Sequence, residues 1–115
     1  MRNSFVSIVS GLALLCTAPF AAAQTGEEIA SLISTAKTPA DHTKIADYFA
    51  QKAATYEADA KLHGSMSQSY QTYSKGQANL MKSHCGRIKT SMSTAAKDMR
   101  ELEKAHRQFA TSATN

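Results

Sequence analysis

The side chains with the widest ligand chemistry in this chain are His63, Met66, Met81, His84 and Cys85. Imidazole, thiolate and thioether are soft to borderline ligands, matched to copper(I) or zinc and poorly matched to calcium or magnesium. A second, smaller set is the pair His42 and His106, with Asp41 and Glu103 close by in sequence. Two imidazoles beside a carboxylate suit zinc or copper(II), and bind it weakly unless further ligands join. No CxxC or HExxH spacing is present, so a metal site here must be assembled by the fold. The adjacent His84 and Cys85 make the point. Successive helical residues point about 100° apart, so the dipeptide alone cannot aim both side chains at one ion. The same residues also suit an ordinary core, because methionine and free cysteine commonly fill helical interiors.

Those side chains must be positioned by what lies around them. The opening "MRNSFVSIVSGLALLCTAPFAAA" carries a basic Arg2, an apolar run from Phe5 to Leu15, a break at Pro19 and three alanines. That order predicts a secretory signal peptide over 1–23, cleaved after Ala23, too short and wrongly flanked for a lasting membrane span. Cys16 raises a lipid anchor as the alternative, but Leu15 is bulkier than the small residue such a site takes. The expected location is periplasmic or secreted, with one small domain over residues 24–115. Cys85 is then the only thiol left, so in an oxidising compartment it is buried, metal-bound or paired with another molecule. The net charge of +4 includes Arg2, and charges of both signs alternate along the rest of the chain. A clustered basic patch with interleaved aromatics, the mark of a nucleic-acid surface, is missing.

After Gln24 the sequence reads as helix throughout. Valine is absent there, strand alternation is absent, and Ala is the commonest residue with Lys abundant. "TGEE" predicts a first helix capped by Thr25 and Glu28, with Ile29, Leu32 and Ile33 inward and an end near Lys37. Thr38, Pro39 and Asp41 predict the next start. His42, Ala46, Phe49, Ala53, Tyr56, Ala60 and His63 follow at alternating steps of four and three, a heptad stripe of large and small residues suited to close helix packing. Met66, Tyr70 and Tyr73 carry it on to about Ser74, with a kink or fray expected near Gly64. "SKGQAN" predicts a turn. A last helix from about Ala78 to Thr111 has the stripe Met81, Cys85, Ile88, Met92, Ala95, Met99, Leu102, His106 and Phe109.

The expected fold is therefore all-α, a long antiparallel helical hairpin packed with a short N-terminal helix, a three- to four-helix bundle. Folding at roughly Gly76 sets His63 and Met66 at the level of His84 and Cys85, and His42 at the level of His106 and Phe109. The two levels are roughly 30 Å apart at the helical rise. A head-to-tail homodimer would bring the two levels together.

"HTKIADYFAQKAATYEADAKLHGSM" and "MKSHCGRIKTSMSTAAKDMRELEKAH" resemble a loose group of small exported bacterial helical proteins with paired histidines on one helix and His-Cys on the next. The resemblance covers roughly residues 38 to 110. It implies export and a helical bundle and carries no activity, as that group is largely without assigned function.

The same residues bear on haem. No CxxCH is present, which excludes covalent c-type attachment. A noncovalent haem on His106 would resemble the small periplasmic four-helix cytochromes, yet the first helix has no methionine to supply the other ligand. No nucleophile–base signature points to an enzyme. The sequence thus predicts a non-catalytic protein binding copper or zinc for storage, delivery or tolerance, with His63, His84 and Cys85 foremost, Met66 and Met81 as soft ligands, and His42 and His106 second. The alternative is a metal-free interaction or stress-related module, or one joined to a second molecule through a Cys85 disulfide.

Overall fold

The computed structural model describes residues 24–73 and 76–112. The expected signal peptide and the tip of the expected turn, residues 74 and 75, lie outside the described residues. The described residues form the α-helices α1 (Gly26–Thr35), α2 (Pro39–Ser69) and α3 (Gly76–Ser112), with a 3-10 turn at Tyr70–Thr72. The two long helices pack antiparallel, and α1 lies against the start of α2. No described helix is long and apolar enough to cross a membrane.

Both starts are built as the sequence requires. The Thr25 hydroxyl accepts from the Glu28 amide while the Glu28 carboxylate accepts from the Thr25 amide, closing a reciprocal cap. Thr38 and Asp41 repeat the arrangement, with Pro39 in the first turn of α2. The Asp41 carboxylate also accepts from the Lys37 amide. These backbone donors, with that of Lys37 first, hold its carboxyl below the usual carboxylate range.

The long second helix continues through Gly64, as the apolar face carried on by Met66 and Tyr70 predicts. α2 runs through it to Ser69, because "HGSM" has no residue that forces φ away from helix; a Cβ added at Gly64 would lie 3.4 Å from Lys89 Cδ. A Cβ there makes ordinary contact with a flexible stem, so Gly64→Ala is expected to stabilise the protein by about 0.5–1 kcal/mol through helix propensity. Thermal unfolding of the variant followed by circular dichroism checks this; a lowered midpoint would mean that the close approach of α3 decides instead. The helix does end before Tyr73, which is extended and solvent-exposed and does not continue the apolar face as expected. α3 starts at Gly76, earlier than the expected Ala78.

Between the long helices the seam is built from alanines. Ala46, Ala53, Ala60 and Ala96 are all buried there, which lets the two backbones approach closely. The larger core sits where α1 docks: Ile29, Ile45 and Phe49 form one buried cluster with Leu32, Ala36, Tyr48 and Met99 against it. Ile45 is fully buried although it falls off the stripe read from α2. The reason is α1, which covers that flank with Ile29. Ile33, expected inward, is exposed on the far side of α1.

One edge of the α2–α3 seam is closed by charge. Arg100 holds Glu57 at 3.0 Å and Glu103 at 2.9 Å, and Arg107 holds Asp47 at 3.2 Å and Glu103 at 2.9 Å. The Arg100 guanidinium is the main cause that lowers the carboxyls of Glu57 and Glu103. Both arginines, Glu57 and Asp47 are about half exposed, so the pairs Glu57–Arg100 and Asp47–Arg107 contribute little alone.

Candidate metal site

The hairpin register delivers His42 to His106. Their Nδ1 atoms are 3.1 Å apart, with ring centroids 5.3 Å apart. His42 reaches this point from the first turns of α2, set by the Thr38–Asp41 cap, and His106 from the last turns of α3. Phe49 lies 5.8 Å from the His106 ring, and Phe109 lies 5.2 Å from His42 and 5.9 Å from His106. Two half-buried imidazoles thus meet nitrogen to nitrogen between aromatic rings. Without a metal, one Nδ1–H donates to the other ring's bare Nδ1.

Burial first, and the neighbouring charge of His42 second, push the His106 pKa below the ordinary histidine value. An unfolded chain then binds a proton that the folded chain refuses. His106 contributes stability that is fully present above about pH 6.5 and is lost as pH falls through its depressed folded value. The melting temperature should accordingly drop on acidification through that window. A His106→Phe variant, compared across the same pH series, should lose that dependence; an unchanged slope would place the titration elsewhere.

The carboxylates nearest in sequence are engaged away from the pair. Asp41 accepts from its own cap, and Glu103 lies between Arg100 and Arg107. Their proximity in sequence to the histidines does not make either a third ligand.

The other level is arranged differently. Cys85 is free and buried at 7% exposure. His63 is half-buried, and its Nδ1 is enclosed without a hydrogen-bond partner. His84 is exposed and its Nδ1 lies 2.7 Å from the Arg87 guanidinium, a cation that competes with any metal for that lone pair. Met81 is about half exposed and Met66 about one-third exposed. Among the described residues, no three His, Cys, Asp or Glu side chains are placed to hold one ion. His63 and Cys85 therefore lie in or beside the seam, while His84 is directed along its own helix.

What spacing alone missed is the aromatic enclosure of the histidine pair and the Arg87 contact. The signal for Arg87 was legible, as a residue three positions after His84 shares its helix face. The Phe49–His106 contact needed the tertiary register. A depression of about 440 Å³ also runs between Arg100 and Thr111, but α3 alone lines it and it is open to water. Compared with known proteins, the chain matches no family model, no curated protein and no solved structure.

Proposed function

We propose that this is an exported, non-catalytic helical protein that carries a copper or zinc ion at the His42–His106 end of its hairpin. The observation behind the reading is the 3.1 Å separation of the two Nδ1 atoms. Two nitrogens on one tetrahedral zinc, each at about 2.0–2.1 Å, lie roughly 3.3 Å apart, so the pair is already spaced as adjacent ligands. A lowered His106 pKa favours the neutral imidazole that a metal needs. With two protein ligands and water in the remaining positions, the ion exchanges readily, which suits carriage and delivery better than permanent structural use. Phe109 beside His42 and Phe49 beside His106 pack against the imidazoles and help to hold their orientation.

Elemental analysis of untagged protein purified from its own compartment tests the reading, followed by titration of the metal-stripped, reduced protein with zinc and with copper(I). One equivalent bound is the expected result. Absence of binding by either metal refutes it. The second reading, an interaction module, draws on a different observation: the hairpin carries large apolar side chains in solvent, among them Leu62, Leu80, Met81 and Leu102.

A further inference from the structure

The two edges of the α2–α3 seam differ. Among the described residues, the ion pairs that join α2 to α3 are Glu57–Arg100 and Asp47–Arg107, which lie on one edge, the back. The front edge is where α1 docks, on Ile45, Tyr48, Phe49 and Met99. α1 has 10 residues and α3 has 37, so at the helical rise α1 covers only about 15 Å of a front roughly 55 Å long. The remainder continues the surface that α1 covers. Met66 repeats the position of Ile45 three heptads later, and Leu62 that of Tyr48 two heptads later. On α3, Met81, Ile88, Ala95 and Leu102 stand seven apart along the same front.

We propose that a second copy of this chain covers this front, forming a four-helix bundle in which the turn-proximal halves of the two hairpins overlap antiparallel and the α1 helices lie at the outer ends. Three observations select that occupant. The first is area. Met66, Met81, Ile88 and Leu62 are 36%, 49%, 38% and 56% exposed. At roughly 80–90 Å² each they offer on the order of 350 Å² of apolar surface, most of the apolar share of a standard interface of about 800 Å² per partner that is a little over half apolar. The second is the interior. Away from the α1 end the seam buries alanines and Cys85 and no larger side chain, and chains of this size with so thin a core usually gain stability by association. The third is charge. Lys52 and Asp59 on α2 and Asp98 on α3 place both signs on this front. A two-fold axis can set these opposite one another, whereas a basic or acidic ligand would call for one sign.

The arrangement needs neither metal nor disulfide, so it stands or falls separately from metal binding. Sedimentation velocity on the purified protein, reduced and with chelator present, should give a dimer at ~10 μM, in the range such interfaces reach. Met81→Glu with Ile88→Glu should raise the dimer dissociation constant at least ~100-fold with helicity retained, while Thr90→Glu, on the opposite side of α3, should leave it unchanged. If the double variant does not fold, a spin label at Ile88→Cys in a Cys85→Ala background replaces it, and should report a short interchain distance. A monomer at every concentration, a double variant that dimerises like the wild type, or a labelled protein with no interchain distance overturns the proposal. So does a wild-type chain that associates only with a different protein.

Discussion

Replacing His42 and His106 together with phenylalanine should weaken zinc and copper binding on the order of 100-fold, about 2.7 kcal/mol, while leaving the hairpin folded. Phenylalanine keeps a ring of similar size among Phe49 and Phe109, so packing at this end is largely retained and the nitrogens alone are removed. Each single variant should lose most of the affinity, because one imidazole and water make a poor site. The comparison that carries the test is with His84→Ala, Cys85→Ala. If the His42–His106 pair holds the ion, that variant binds metal as the wild type does. The opposite ranking would move the site to the Cys85 level, where the enclosed, unpartnered Nδ1 of His63 lies. Isothermal titration with metal buffered by a competing chelator distinguishes the two. Binding should also fall as pH drops from about 6.5 through the lowered His106 value, since a proton then competes with the metal for that imidazole.

Phe49→Ala should cost about 3–5 kcal/mol, the usual range for truncating a large buried aromatic. A small domain has a total stability of roughly 0.05–0.15 kcal/mol per residue, so this one change removes a large part of it. Phe49 belongs to the buried cluster with Ile29 and Ile45, its ring lies 5.6 Å from Tyr48, and its other side meets His106 at 5.8 Å. The single side chain thus links the docking of α1 to the histidine pair. Chemical denaturation should show a midpoint shifted far toward zero denaturant, with helical signal already reduced in buffer. The same substitution should weaken metal binding although it removes no ligand, because the His106 ring loses the surface that orients it. A stability loss below ~1 kcal/mol would mean that α1 docks independently of this ring.

Much of the architecture was legible because its determinants are local. Thr25 with Glu28 and Thr38 with Asp41 announce two helix starts by residue type and spacing alone, and both caps form. The alanine stripe of α2 is buried as its heptad spacing requires. Folding the hairpin near Gly76 correctly set His42 at the level of His106 and Phe109. Where the reading departed from the structure, a contact from another helix or a competing hydrogen bond was responsible. Ile45 is buried because α1 lies over it, a packing that no periodicity within α2 encodes. Tyr73 leaves the apolar face because the 3-10 turn changes the rotation per residue just before it.

The amino-acid sequence by itself determined the helices, their caps, the hairpin and the presence of two levels of candidate ligands. These follow from propensity, capping and a fixed helical repeat, each of which acts over a few residues. Which ligands meet was decided only in the tertiary structure. Side chains at one level converge or diverge according to helix rotation about the seam, and close alanine packing sets that rotation. Here it turns His42 and His106 nitrogen to nitrogen, while His84 is held by Arg87 and Met81 faces solvent.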